Sequence, residues 1–378
     1  MFGISFFVER FAGLVVYCAL IIIFLVIISR CNSLKKFRFY LFLYLLILTL
    51  LGFLYIPSDS ADVYRWNMFS AEWINKPFHV FLNSDVKHSS EPLAYIYFYL
   101  CAFTGIKGAL SGITCFIVYF NLFYAFYINF KKYGGNNYIN ASWILFLLMC
   151  GSTFLSVISG IRTALSISII IACYYTEKVY KRFYLLNIIF NLAACMIHLA
   201  ALPIIILRYF SLFFGNNRIS LSIKVIIIAF VSIISYVFFR QYISDAMNKF
   251  IFYMSSETYF SLRAYLSSMI VFLIEIILTI KFFSKSKLRI TIDFEHTLFV
   301  ISFFLFEVFL ITNFVMFSRF RIFLRYLLIP IFFKMIDSDK FFKTNFIDYK
   351  SFFKIFAFLS LFMSYAFGDL SAYKFFIL

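Results

Sequence analysis

The stretch ALSGITCFIVYFNLFYAFYINFKKYGGNN, residues 109–137, decides how the rest of the chain is read. Ala109 to Phe130 is an apolar run of the length, about 20 residues, that a helix needs to cross a hydrocarbon core ~30 Å thick. It stops at Lys131 and Lys132, and Gly134-Gly135-Asn136-Asn137 then supplies a turn. The same pattern, apolar run and short polar break, continues in both directions. Hydrophobic residues make up 64% of the chain and charged residues 13%, with a mean hydropathy of +0.94. Too little polar surface remains for a domain that faces water on all sides. A chain of 378 residues has room for roughly 10–13 spanning helices. The expected fold class is all-α: a polytopic integral membrane protein forming one membrane domain over residues 1–378.

Outward from that stretch, runs at 11–29 and 39–56 flank the basic break Arg30, Lys35, Lys36, Arg38. The longest polar stretch, 58–92, reads as an extracytoplasmic loop. Residues 93–104 are too few to span and read as a re-entrant or interfacial helix. Further on, 138–158 and 163–175 read as a hairpin with Ser159-Gly160-Ile161-Arg162 at its tip. Runs at 183–198, 199–214 and 221–239 lead to an outer loop, 240–263. Runs at 264–282, 294–317, 322–336 and 352–367 follow, and a tail, 368–378. Threaded this way, one side collects 15 of the 20 lysines, and the other side with its adjoining helix ends collects 9 of the 14 arginines. Lysine marks the cytoplasmic side. Arginine held on the far side resists that bias, and its planar fork grips phosphate and carboxylate in bidentate fashion.

A net charge of +17 scattered over short loops fits topology and anionic lipid better than nucleic acid, which is not an expected partner. The seven cysteines are odd in number and lie mostly in apolar runs, neither a disulfide framework nor a zinc pattern. No HExxH, CxxC or phosphate-cradling glycine loop occurs, so no metal and no cofactor are expected. The first apolar run has no basic leader or small-residue cleavage site and is expected to be a retained helix.

Several polar residues stand out. Asp59, Asp62, Tyr64, Arg65, Trp66, Glu72 and Glu91 cluster in or beside the long loop, where a carboxylate can serve as general base; for Asp59 and Asp62, helix capping is the alternative. Arg162 stands between two apolar helices, a costly place for a charge, beside a glycine that would let the backbone approach a ligand. His198 lies in CMIHLAAL, placed to relay a proton or bind phosphate. Arg319, Arg321 and Arg325 lie in SRFRIFLRYLLIP. The last two share a helix face and repel unless an anion lies between them. A diphosphate meets that need, as would Glu275 or Glu307.

With these pieces in order, the chain resembles the EpsG-like branch of the Wzy-type O-antigen and exopolysaccharide polymerases. The resemblance is carried by SDSADVYRW (58–66), Glu91-Pro92, SGIRTALSISIIIACYY (159–175), IHLAALP (197–203), SRFRIFLRYLLIP (318–330) and a short Tyr-containing tail. It implies a GT-C-like, metal-independent glycosyltransferase of the bacterial inner membrane that joins undecaprenyl-diphosphate-linked oligosaccharide repeat units at the periplasmic face. It implies a chain-length regulator as partner. Carried onto this chain, it points to Arg162 and His198, then Arg319 and Arg321. The expected diphosphate ligands are Arg162, Arg319 and Arg321, with Arg325 and Arg65 behind them. The expected base is Glu91, then Asp62, then His198. A lipid-linked oligosaccharide flippase and an O-antigen ligase use the same lipid and are the alternatives.

Overall fold

The structure, a computed structural model, describes residues 2–57, 62–73, 76–86, 89–182, 184–215, 262–284, 292–336 and 349–366, with the single positions 244, 248 and 251. Asp59, His88, the helix expected at 221–239, most of the loop 240–263 and the tail 368–378 lie outside the described residues. The regular elements of the described residues are helices throughout. Three are long and apolar enough to cross a membrane: Leu34–Leu54, Ala109–Tyr133 and Tyr265–Ser284. Six shorter apolar helices of 10–17 residues accompany them.

The first two helices, α1 (Phe2–Ser29) and α2 (Leu34–Leu54), are joined by a tight turn. Ser33 caps α2, its Oγ accepting from the Lys36 N–H at 3.3 Å. Lys35, Lys36 and Arg38 are therefore inside the first turns of α2 rather than in a separate break. Within the stretch expected to be a loop, 58–92, the described residues include α3 (Asp62–Trp73), α4 (Phe78–Phe81) and a π turn at Leu82–Val86. Its aromatics explain the difference. Trp73, Phe81 and Val86 bury against Tyr99 of α5 (Pro92–Phe103) as a small core of their own. The short helix expected at 93–104 is α5, with Pro92 at its start.

Long α6 (Ala109–Tyr133) packs on α2 where both are small: a Cβ on Gly52 would lie 2.9 Å from the Gly112 Cα. Such close backbone approach is how apolar helices associate without a hydrophobic drive. The run 138–158 is two helices, α7 (Tyr138–Gly151) and α8 (Phe154–Ser159), because Thr153 caps a new start by accepting from the Ser156 N–H. Next come α9 (Ile161–Tyr180), α10 (Leu185–Ile197) and α11 (Ala201–Gly215). The chain resumes with α12 (Leu262–Ser284), α13 (Phe294–Leu310), α14 (Phe314–Leu327), α15 (Ile329–Ile336) and α16 (Tyr349–Ala366).

The turn expected at 318–321 lies earlier, at 311–313. Asn313 sets it, its side chain accepting from the Met316 N–H at 3.0 Å. Arg319, Arg321 and Arg325 thus belong to the body of one helix, α14. The centre of the bundle is α9, packed against α6, α10 and α14. In α10 the usual sidedness is inverted: Asn187 and Asn191 are buried, while Leu185, Ile189 and Leu192 are 72%, 54% and 60% exposed. Water would turn such a helix over; hydrocarbon stabilises it as it stands.

Candidate functional site

Glu91 directly precedes Pro92, the first residue of α5. Its backbone N–H donates to Ser89 Oγ at 3.0 Å, and its side chain is buried at 2% exposure. Three donors from distant parts of the chain meet this carboxylate. Arg162 Nη1 donates to Oε2. His198 Nδ1 lies 2.8 Å from Oε1, and the Leu199 N–H donates to the same oxygen at 3.2 Å. Sequence separations of 71 and 107 residues are closed here.

Each donor is placed by local geometry. Arg162 is the second residue of α9, where the helix dipole disfavours a cation; the Glu91 carboxylate offsets that cost. Gly160 before it has φ −122°, and a Cβ there would meet Ser156 O only at 3.4 Å. The close backbone approach expected of this glycine is therefore not required by its conformation. His198 is extended (φ −156°, ψ 125°) and ends α10, so the break between α10 and α11 turns both its ring and the next N–H toward Glu91.

Trp66 of α3 covers the guanidinium of Arg162, ring centroid to Cζ 4.7 Å, and stacks on Phe98 of α5 at 4.4 Å. A cation held over an indole face is fixed in orientation. The Arg162 side chain keeps 23% of its surface exposed, and Glu91 engages only one of its nitrogens. The charge of Arg319 also reaches the His198 ring. With Nδ1 directed at a carboxylate, the His198 tautomer is set and Nε2 is the basic nitrogen; it makes no hydrogen bond among the described residues. The arrangement can orient an imidazole, hold two cationic side chains near it and accept one proton.

The remaining candidates have partners of their own. Asp62 and Arg65 pair with each other on α3, with Arg65 69% exposed. Arg321 and Arg325 do have an anion between them, and it is Glu275 of α12: Arg321 Nη2 donates to Oε2 at 2.9 Å and Arg325 Nε to Oε1 at 2.7 Å. Arg321 also donates to the Ser268 carbonyl. The repulsion that calls for a diphosphate is thus relieved inside the protein. Glu307 of α13 is fully buried beside this cluster, within reach of the Arg321 charge.

A third polar centre has no counterpart among the residues picked out from the sequence. Arg208 of α11 pairs with Glu295 and, at 3.3 Å, with Glu177; Lys178 pairs with Asp293 at 2.9 Å. Its signal was a lone arginine inside the apolar run ALPIIILRYF. Arg208 and Lys178 share this cluster through Glu295, which lies 3.9 Å from the Lys178 Nζ.

No protein-family model, no curated protein and no solved structure matches the chain.

Proposed function

We propose that this protein is a Wzy-type polysaccharide polymerase, a GT-C-like glycosyltransferase with 10–13 spans in the bacterial inner membrane. It acts without a metal on undecaprenyl-diphosphate-linked repeat units at the periplasmic face, with a chain-length regulator as partner. The observation that carries the reading is the convergence of Arg162 and His198 on the Glu91 carboxylate.

The contacts favour a division of roles. Glu91 already accepts from three donors and is a poor proton acceptor, so it orients His198 and Arg162. A hydroxyl of the incoming unit attacks the anomeric carbon of the growing chain, forming the new C–O bond. Its proton passes to His198 Nε2. The bond from the anomeric carbon to the diphosphate breaks, and undecaprenyl diphosphate leaves with the electron pair. Arg162, with Arg319 nearby, neutralises the charge gathering on the leaving group, a preorganised electrostatic contribution. Arg321 and Arg325, held by Glu275, support α14 rather than the lipid.

Surface polysaccharide from cells lacking the gene tests this. The expected result is collapse of the ladder to core plus one unit, restored by the wild-type gene but not by Arg162→Ala or His198→Gln expressed at equal level. An intact ladder in the deletion would end the polymerase reading. Loss of even the single-unit band would turn it toward the flippase or the ligase.

A further inference from the structure

A groove of about 580 Å³ runs along the bundle between α2 and α6. On α2 it is lined by Lys35, Arg38, Phe42 and Leu45, a spacing of three and four that forms one stripe. Phe120 and Tyr124 face them from α6. Only one end of the stripe is charged. Lys35 and Arg38 are exposed and form no ion pair among the described residues, and no acidic residue lines the groove. The antiparallel α6 ends on Lys131 and Lys132 at the same pole. Both helices are of membrane-spanning length.

Dimensions identify the occupant. From Lys35 to Leu45 the stripe rises about 15 Å at 1.5 Å per residue, roughly half of a ~30 Å hydrocarbon core. It is therefore one leaflet deep, cationic where the head groups lie and aromatic along the tails. A spanning helix of a partner would need a groove of about twice that length.

We infer that the α2–α6 groove is a binding site for one anionic phospholipid, its phosphate held by Lys35 and Arg38 and an acyl chain lying along Phe42, Leu45 and Phe120. The site is separate from the Glu91 centre and does not rest on the polymerase reading.

Native mass spectrometry of the full-length protein in neutral detergent, titrated with phosphatidylglycerol or phosphatidylcholine, tests it. Wild type is expected to hold phosphatidylglycerol about tenfold or more over phosphatidylcholine, as two cations near a lipid surface imply. Lys35→Gln/Arg38→Gln is expected to erase that preference. Phe42→Ala/Phe120→Ala, at two lipid-exposed positions, is expected to weaken both lipids alike. Lys181→Gln/Arg182→Gln, two exposed cations outside the groove, is expected to leave the preference intact. The inference is overturned if Lys35→Gln/Arg38→Gln retains the preference, if the wall variant binds like wild type, or if the outside pair lowers phosphatidylglycerol binding as much as the groove pair.

Discussion

Glu91 is the residue on which the candidate site turns, because a single buried carboxylate fixes both a guanidinium and an imidazole. Such a group acts through its partners, so its removal and theirs should not add. In a reconstituted polymerisation assay, Glu91→Gln and Arg162→Gln are each expected to slow product formation by roughly 10²-fold or more, the scale seen when preorganised charge is lost. The double variant is expected to be little worse than the poorer single one, as for residues that work as a unit. Losses that multiply would mean that the two act independently and that their contact is only structural. Glu91 also shows what sequence can reveal at this scale. Its place beside the long polar stretch marked it as a candidate base, and with Pro92 it opens an apolar run. Its three donors were hidden, because no local pattern reports contacts across 71 and 107 residues.

At the scale of elements, the informative feature is how α7 and α14 cross. Arg325 lies over Gly151, the last residue of α7, and a Cβ there would overlap its guanidinium and Cδ. The glycine makes room for the ion cluster with Glu275 and Arg321. Gly151→Ala is expected to destabilise the protein by about 1–3 kcal/mol, the usual cost of overpacking, and to lower the melting temperature in detergent. Gly160→Ala is the matched control, since an added methyl meets only ordinary contacts there; its melting temperature should equal that of wild type. Equal effects of the two would refute the close-packing argument. Helix existence was legible from the apolar runs, and α6 and α5 were read nearly to their ends. The breaks were not. The ends of α7 and α13 depend on Thr153 and Asn313 capping the next helix, and a single polar residue in an apolar run gives too little signal. The folding of 62–86 was missed for another reason: polar composition read as loop, although Trp73 and Phe81 bury there.

Across the whole molecule, two of the polar clusters among the described residues stand at opposite ends of α9. Arg162 opens that helix, and Glu177 and Lys178 stand near its close, about 24 Å apart at 1.5 Å per residue. The apolar length between them is what a membrane interior requires. The pairing at the Lys178 pole of α9 was not legible, because Arg208 shows in the sequence only as a lone arginine in an apolar run. That pole has a titration to match. Burial by itself would raise the Asp293 carboxyl, but the hydrogen bond from Lys178 and the charges of Lys178, Lys132 and Lys181 outweigh it and hold the group below its usual value of 3.8. A depressed carboxylate contributes stability above its unfolded pKa, and that contribution disappears as the pH falls through the folded value. Asp293 is half exposed, so the effect is modest. The melting temperature of Asp293→Asn is expected to lie below that of wild type from pH 7 to pH 5. The gap should close as the pH is taken below about 4, where the wild-type carboxyl gains its proton. Fluorescence melts across that range follow both proteins together, so other acids titrating in common cancel from the difference. A gap unchanged from pH 7 to pH 3 would mean that the charge of Asp293 does not stabilise the Lys178 pole.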